Sequence, residues 1–383
     1  MRVEPSEELK ELRSQLRPFV EEKLFPLAEE IDRSGKVPRA AWDALREQGL
    51  LGLLLPPEYG GAGADLPTYC LAMEEVARAH RVFTLLIDAT SGLTPVAILR
   101  HGTEAQRRRF LPGLCAGTLR CAFALTEPDA GSDAAAIRTR AERVPGGGWR
   151  IDGRKQWISG GHEADVVMVM AVTDPTKPGA RGRISAFLVE RGTPGFSVAR
   201  VDRTIGSAAI ELADLAFDGC VVPEEALLGV EGEGFAIAMG SLIHGRLGVS
   251  AACIGAADRL LQMSVEFAKA RHTFGKPLAD RQAIQWMLAD SAVDIETARA
   301  FAYETLRNVT AGREIGAAAS MCKLYCSEMV GRVADRAVQI HGGAGLVRGV
   351  FPVERFYRDV RHYRVGEGSS EIQRMLIARD LLK

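Results

Sequence analysis

Residues 118–223 restrict the possible folds more than any other part of the sequence. They contain the strand-like runs VVMVMAV and ISAFLVE, which are rich in β-branched residues, and short turns such as residues 145–148 and 192–195. Parallel strands need a connection of roughly a dozen or more residues between them, usually a helix. No helical pattern occurs between these runs, so we predict an antiparallel sheet or barrel.

Helical patterns flank this region on both sides. On the N-terminal side, Ser6 is a suitable N-cap, apolar residues follow it at helical spacing, and Gly35 ends the helix. A second helix is predicted at about residues 40–48, and Pro67 suits the first turn of a third. On the C-terminal side the predicted helices are 234–271, 281–311, 317–340 and 371–382. Long helices with short links are typical of an antiparallel bundle.

These patterns together predict a multidomain α+β protein. We expect an N-terminal α-helical domain at residues 1–117, a middle antiparallel β-barrel-like domain at 118–227, and a C-terminal four-helix-type bundle at 228–383. The length of 383 residues agrees with this division, because a single hydrophobic core stops growing at roughly 250–300 residues.

Charge and composition exclude several classes of function. The formal net charge is −1, so the basic surface that nucleic acids require is not expected. The longest apolar runs, such as residues 50–56, are too short to span a bilayer, and the N-terminus lacks the apolar core of a signal peptide. The seven cysteines are scattered without metal-ligand spacing, which favours a reducing, cytoplasmic setting.

Common catalytic motifs are missing. No Gly-x-Gly-x-x-Gly follows a strand, and no Walker A, His-Glu-x-x-His or Gly-x-Ser-x-Gly motif occurs. The seven histidines have no partners at metal-ligand spacing. A nicotinamide site, a metal site and a covalent nucleophile are therefore not indicated.

Four other stretches have residue types that suit a binding site. CAFALTEPDAGSD at 121–133 ends a strand in a turn that offers N–H groups and hydroxyls, and KQWISGG at 155–161 sets a flat indole beside small residues. RHTFGKPLADRQAIQ at 271–285 places a basic turn between two helices. Each also has an ordinary structural explanation: a capped turn, a core tryptophan and a solvated loop. The fourth, RVGEGSSEIQR at 364–374, sets one acid, Glu367, between two glycines before a helix.

Together with PPEYGG, VPEEALLG and QIHGGAG, these stretches resemble the acyl-CoA dehydrogenase family, and they follow one another in the family's order. The resemblance implies a helical domain, a β-barrel-like domain and a helical bundle. It also implies non-covalent FAD, an acyl-CoA thioester substrate and an electron-transfer flavoprotein as electron acceptor. Family members are usually homotetramers, built as dimers of dimers, in which FAD lies partly across a subunit boundary.

The resemblance also implies which residues contact FAD and substrate. The expected middle-domain FAD contacts are Phe123, Leu125, Thr126, Ser132, Trp157, Ile158 and Ser159. The expected C-terminal FAD contacts, some of them made to a neighbouring subunit, are Arg271, Thr273, Phe274, Gln282, Gln339, Ile340, Gly342, Gly343, Ser369 and Glu371. The expected substrate-side positions are Ser132, Arg246, Gly366 and Gly368.

Glu367 matches the family's catalytic base. The resemblance implies that Glu367 removes the α-proton while flavin N5 takes the β-hydride, which gives a trans-2-enoyl thioester. The thioester oxygen then accepts hydrogen bonds from a ribityl hydroxyl and from the Glu367 N–H, a form of electrostatic stabilisation. We expect Gly366 and Gly368 to let the backbone approach, and burial to raise the pKa of Glu367. The positive end of a helix that starts near Ser370 opposes that rise.

The sequence departs from the family's usual pattern at several positions. Some members carry the base on the first long C-terminal helix, but the matching residue here is Gly245. An aromatic residue commonly precedes the base, and Gly366 in its place predicts a wider pocket for a bulkier acyl group. Asp88 falls near the pocket floor, where it either disfavours an acidic acyl tail or only caps a loop. Thr84 replaces the arginine of the glutaryl type, which disfavours glutaryl-CoA decarboxylation.

Two other functions stay open at this point. The first is a related flavin desaturase or oxidase that acts on carrier-protein thioesters or uses oxygen. The second is a non-catalytic scaffold, which predicts loss of the flavin contacts or of the base.

Overall fold

The helical regions flank a central sheet, in the predicted order. A computed structural model describes residues 6–207 and 209–383. The N-terminal helices are α1 (Glu7–Phe19), α2 (Phe25–Ser34), α3 (Arg39–Glu47), α4 (Leu66–Ala77), α5 (Arg81–Ser91), α6 (Leu93–His101) and α7 (Glu104–Cys115). The side chain of Ser6 accepts a hydrogen bond from the Leu9 N–H, and Gly35 ends α2 with a left-handed φ of 64°. A π-helical turn at Val20–Leu24 separates α1 from α2 within the single helix that the sequence predicts.

The middle region forms one twisted eight-stranded sheet. Its strands are β1 (Cys121–Ala124), β2 (Arg140–Arg143), β3 (Trp149–Ser159), β4 (Val166–Val172), β5 (Ile184–Glu190), β6 (Phe196–Asp202), β7 (Leu212–Val222) and β8 (Leu227–Leu228). They follow the order β6-β7-β3-β2-β4-β5-β8, and β1 pairs with β4. Every residue of β4 is buried, which explains why its sequence is apolar without alternation.

The expectation of a purely antiparallel sheet is wrong where β1 and β2 meet β4. β1 runs parallel to β4 along its length, with Cys121 opposite Val166, and β2 makes one parallel contact with β4 at Arg140 and Val172. Two strands and their turns lie between β1 and β4 in the chain, so the pair is not limited to hairpin geometry.

The C-terminal region is a helical bundle. Its helices are α8 (Gly234–Ala270), α9 (Gln282–Thr310), α10 (Gly316–His341), α11 (Val353–Val360) and α12 (Ser370–Leu381), and β9 (His272–Thr273) and β10 (Lys276–Pro277) form a small hairpin after α8. The four predicted helices agree with α8, α9, α10 and α12 to within one residue at each end. The sequence patterns did not predict α11.

Two helical stretches, Arg81–His101 and Gly234–Ala270, are long and apolar enough to cross a membrane by length and composition. The expectation that every apolar run is too short is therefore wrong for these two. In each, 72% of the most apolar window is buried inside the protein, which is the behaviour of core helices.

Helix α8 approaches α4 closely at two glycines. A Cβ at Gly255 would overlap with the carbonyl oxygen of Glu74 and would lie 2.7 Å from the carbonyl carbon. A Cβ at Gly248 would lie 2.9 Å from Cε1 of Tyr69. The backbones can meet at this distance only because these positions lack side chains.

We expect Gly255→Ala to destabilise the protein by about 1–3 kcal/mol, because the added methyl group forces α4 away from α8. Gly240→Ala is the matched control on the same helix, since nothing lies within 4 Å of its added Cβ. That control should be neutral or stabilising by about 0.5–1 kcal/mol, the usual gain for Ala over Gly in a helix. Denaturant unfolding followed by circular dichroism measures both, and equal effects would contradict the close-approach explanation.

Candidate active site

Glu367 lies on a strained turn between a 3-10 turn at Arg361–Arg364 and the start of α12. Its φ is 57°, in the left-handed region, and the φ of Gly368 is 92°. The φ of Gly366 lies outside that region. Of the two flanking glycines, only Gly368 therefore adopts a backbone conformation that favours glycine. Left-handed non-glycine residues are uncommon and cluster at functional sites.

Two buried side chains hold this turn by its carbonyl groups. The Lys323 ammonium donates to the Gly368 carbonyl at 2.7 Å. The Gln373 amide donates to the carbonyls of Glu367 and Gly368 at 3.2 and 3.0 Å. At the helix start, the Ser369 hydroxyl accepts from the Ile372 N–H and caps α12. These bonds fix the unusual conformation of Glu367.

The Glu367 carboxylate lies directly against α8. A Cβ at Gly245 would overlap with Glu367 Oε2 and would lie 2.9 Å from the carboxyl carbon. Oε2 is buried and has no hydrogen-bond partner among the described residues. A side chain at position 245 would therefore occupy the same space as the Glu367 carboxylate. This agrees with the resemblance, in which some family members carry the base at the position of Gly245.

The pKa of Glu367 is raised to about 8. Burial is the largest cause and the charge of Asp88 is the second, whereas Lys323, Arg246 and Arg81 act in the opposite direction. The expected rise is present, and a neighbouring carboxylate contributes to it as well as burial.

Asp88 is the second carboxyl group of the site. Burial raises its pKa to about 6, and the Tyr69 hydroxyl donates to its Oδ1 at 3.1 Å. On α5, Leu85, Asp88 and Ala89 are partly exposed while the rest of the helix is buried. Their spacing puts them on one face, so Asp88 lies on the open side of α5. Because the two carboxyl groups interact, they titrate as a pair.

A buried ion pair joins two of the predicted FAD-contacting stretches. The Lys155 ammonium donates to Glu127 Oε1 at 2.7 Å and to the Leu125 carbonyl at 3.0 Å. The Gln156 N–H donates to the Thr126 carbonyl at 2.9 Å. These contacts place Leu125 and Thr126 next to the part of β3 that contains Trp157.

Trp157 is not a core residue. Its side chain is 54% exposed, its φ is 56°, and its N–H donates to Asp214 Oδ1 at 3.2 Å. Ile158 is buried and Ser159 is exposed. An exposed indole on a strand fits the planar ring of a flavin, and Ser132 is also exposed.

Most of the remaining predicted FAD contacts lie on the exposed surface of the chain. Phe274 is 97% exposed, with a φ of 49°, at the tip of the β9–β10 hairpin. The other exposed positions are Arg271, Gln282, Gln339, Gly342, Gly343 and Glu371. Phe123, Thr273 and Ser369 are partly exposed, whereas the Ile340 side chain is 4% exposed and packs in the core. These surfaces are available to a ligand or a neighbouring subunit.

The substrate-side positions differ in their surroundings. Arg246 is buried, and its Nη1 lies 3.5 Å from the Ser320 hydroxyl. A Cβ at Gly366 would lie 2.6 Å from Nε2 of His362, so the space beside Gly366 is filled by an imidazole. The wider pocket at Gly366 stays a prediction, with His362 next to its Cα.

Sequence reasoning missed the residues that hold the site in place. Glu127 and Lys155 lie inside quoted motifs, and a charged residue within an otherwise strand-like run was an available signal. Lys323 gave no such signal, because its contact with Gly368 joins distant parts of the chain. Gln373 lies inside a quoted motif and His362 is four residues from Gly366, but their contacts depend on the turn conformation, which the sequence pattern did not show.

Family models match almost the whole chain. The model described as the acyl-CoA dehydrogenase N-terminal domain matches residues 6–118, the middle-domain model matches 122–220, and the C-terminal-domain model matches 232–382. The expected fold class is confirmed, whereas the exact domain boundaries stay predictions.

Relatives and solved structures agree over full length. The acyl-CoA dehydrogenase of Bacillus subtilis (strain 168) is 38% identical over 371 residues, which is 97% of each chain. The acryloyl-CoA reductase (NADH) of Anaerotignum propionicum is 40% identical over 379 residues, 97% of this chain and 94% of that protein. The solved structure of butyryl-CoA dehydrogenase from Megasphaera elsdenii superposes with a TM-score of 0.93 at 36% identity and covers 100% of both chains.

We expect Lys155→Met to destabilise the protein by about 3–5 kcal/mol, because the buried Glu127 carboxylate loses its cation. The double variant Lys155→Met/Glu127→Gln should recover part of this loss. Lys177→Met, at an exposed lysine, is the control and should change stability by about 0.5 kcal/mol or less. Denaturant unfolding measures all three, and a Lys155→Met variant as stable as the wild type would show that the ion pair does not hold the two stretches together.

Proposed function

This chain belongs to the acyl-CoA dehydrogenase family, and on that premise we propose that Glu367 removes the α-proton of an acyl-CoA thioester. The enzyme is an FAD-dependent oxidoreductase that acts on the CH–CH bond of an acyl-CoA. The main support for this role is the unpaired carboxylate oxygen of Glu367. It is buried beside Gly245, and the backbone of Glu367 lies on a strained turn. A polar atom left without a partner at such a place is costly unless a substrate supplies one.

The backbone of the same residue suits the thioester carbonyl. The Glu367 N–H donates to no described residue, so it is free to donate to the thioester oxygen. This bond strengthens as the α-proton leaves and negative charge develops on that oxygen, and removal of one such donor typically costs about 2.7–4 kcal/mol of barrier. Bound FAD would accept the hydride that leaves the β-carbon. The product is then the trans-2-enoyl-CoA.

The proton balance of Glu367 suits a general base. Its pKa of about 8 keeps the carboxylate basic, while Lys323, Arg246 and Arg81 prevent a larger rise. A pKa near the operating pH gives both a usable ionised fraction and a strong driving force for proton transfer. The entry of an acyl chain removes water from this pocket, which strengthens these charge interactions.

We propose an electron-transfer flavoprotein as the acceptor and a homotetramer, built as a dimer of dimers, as the assembly. Large apolar side chains are exposed along the C-terminal region, and a neighbouring subunit would cover them. They are Phe274, Trp286, Val293, Leu346, Val347, Leu381 and Leu382. Cytoplasmic placement stays a prediction.

The same site also suits the reverse reaction. The Anaerotignum propionicum relative is named a reductase, and the raised pKa of Glu367 favours its protonated form. In that direction Glu367 would give its proton to the α-carbon of an enoyl-CoA, and reduced FAD would supply the hydride for the β-carbon. The oxidase alternative differs from both reactions in its electron acceptor, and the carrier-protein alternative differs in its thioester. The family assignment argues against a non-catalytic scaffold.

We expect Glu367→Gln to slow flavin reduction by an acyl-CoA by about 10²–10⁴-fold or more, because an amide accepts no proton. FAD content and thioester binding should persist, since the amide has the shape of the carboxylate. Stopped-flow flavin bleaching without oxygen measures the rate, and Glu304→Gln, at an exposed glutamate on α9, is the control. A Glu367→Gln variant that bleaches at the wild-type rate would refute the proposed base.

We expect Asp88→Asn to lower the pKa of Glu367, because it removes the neighbouring negative charge that disfavours ionisation. The base is active when ionised, so kcat/KM should rise with pH through the Glu367 pKa, and this rise should move to lower pH in the variant. A pH series of kcat/KM measures the shift. Asp335→Asn, at an exposed aspartate on α10, should leave the profile in place, and an unmoved profile in Asp88→Asn would exclude the charge coupling.

A further inference from the structure

Arg81 is a buried cation without a hydrogen-bond or ion-pair partner among the described residues. It is the first residue of α5, it is 8% exposed, and its Nε is buried with no hydrogen-bond partner. Its guanidinium makes no hydrogen bond or ion pair with any residue that the structure describes. Buried charges are normally paired and hydrogen-bonded, because the loss of water is otherwise uncompensated.

The groups around Arg81 leave its donors free. Its guanidinium carbon lies 5.4 Å from the centre of the Tyr363 ring, a cation–π contact that uses no N–H group. Asp359 attracts it, but the carboxylate of Asp359 accepts from the N–H of Ser207 at 2.5 Å and from its hydroxyl at 3.3 Å. Glu367 also attracts Arg81 without forming an ion pair with it.

His362 is the second polar group with free nitrogen atoms here. Its imidazole fills the space beside Gly366, one residue before the proposed base. The ring nitrogens make no hydrogen bond within the described part of the chain. The charge of Arg81, burial and Lys323 hold the pKa of His362 well below its usual value. The neutral ring therefore offers one N–H donor.

The position of Arg81 separates it from Asp88. Arg81, Leu85 and Asp88 follow at i, i+4 and i+7, so they form one stripe along α5. Arg81 is at one end of this stripe with Tyr363, and Asp88 is at the other end with Tyr69. Thr84, at the position of the glutaryl-type arginine, lies on the same face at i+3, but its hydroxyl donates back to the Arg81 carbonyl at 2.7 Å.

We propose that Arg81 and His362 form a subsite beside Glu367 that binds a carboxylate at the end of the acyl chain. The proposal rests on the proposed function and names its substrate class: a monothioester of a dicarboxylic acid. A guanidinium presents parallel N–H groups that match a carboxylate, and the neutral imidazole adds a donor. Asp88 repels the acid at the other end of the stripe, so the chain must enter with its carboxylate toward Arg81.

A purely electrostatic role is the competing explanation. Arg81 lowers the pKa of Glu367, so it could be retained only to tune the base. In that case its loss alters the reaction of every acyl group alike. A subsite instead distinguishes acyl groups that carry a carboxylate from those that do not.

The experiment compares straight-chain acyl-CoAs with ω-carboxyacyl-CoAs of matched length. Flavin bleaching without oxygen gives kcat/KM for the wild type, Arg81→Met, Arg81→Lys and His362→Phe. The wild type should prefer the ω-carboxy thioester, and in Arg81→Met the ratio of kcat/KM for this thioester to kcat/KM for its hydrocarbon partner should fall about 10- to 100-fold, beyond any change common to both. Arg81→Lys should recover part of the preference because it keeps the charge. Arg361→Met, at an exposed neighbouring arginine, is the control.

Binding gives a readout that does not need turnover. In Glu367→Gln, changes in flavin absorbance should show tighter binding of the ω-carboxy thioester, and Arg81→Met in that background should remove the difference. Equal losses on both thioesters, with a shifted pH profile, would overturn the subsite and leave Arg81 as a charge that tunes Glu367. Thermal unfolding and FAD content identify any variant that fails to fold. If Arg81→Met fails to fold, the comparison of the two thioesters in Arg81→Lys decides whether the subsite exists.

The results also separate this inference from the proposed function. If acyl-CoAs reduce the flavin but the carboxylate gives no preference, the subsite is wrong and the proposed function stands. If no thioester reduces the flavin, the proposed function is wrong, and the binding preference still decides whether Arg81 recognises a carboxylate.

Discussion

The architecture of the site depends on the close approach of other segments to the glycine face of α8. Gly245, Gly248 and Gly255 follow one another at i, i+3 and i+10, and they receive the Glu367 carboxylate, the Tyr69 ring and the Glu74 backbone. Each glycine weakens the helix by about 0.5–1 kcal/mol relative to alanine. The helix tolerates this because its 37 residues are packed on most sides, so burial rather than intrinsic propensity stabilises it.

Buried charges near the site fall into two groups. Structural carboxylates are satisfied: Glu75 accepts two hydrogen bonds from Arg17, at 2.6 and 2.8 Å, and Glu127 accepts from Lys155. The Nε of Arg81 and the Oε2 of Glu367, in contrast, have no hydrogen-bond partner among the described residues. Unsatisfied polar atoms are rare in native interiors, so the contrast marks the second group as the one that meets a ligand.

The predictability of each feature depended on how local its causes are. The ends of α8, α9, α10 and α12 follow from caps, glycines and helical spacing within a few residues, and the sequence placed them to within one residue. The parallel β1–β4 pair and the Lys155–Glu127 ion pair depend on contacts between distant segments, which local sequence patterns do not show. The segment from 362 to 367 shows both cases. Its hinge and its acid were visible in the sequence, but the left-handed Glu367 and the imidazole beside Gly366 were not.

The proposed subsite and the proposed base are linked through charge. Arg81 is one of three cations that lower the pKa of Glu367, together with Lys323 and Arg246. A substrate carboxylate bound to Arg81 would neutralise much of its field at Glu367, and the removal of a lowering influence raises the pKa. A higher pKa means that Glu367 holds the α-proton more tightly once it has taken it. The group that identifies the substrate would then also raise the pH at which Glu367 becomes ionised, whereas an acyl chain without it would leave that pH unchanged.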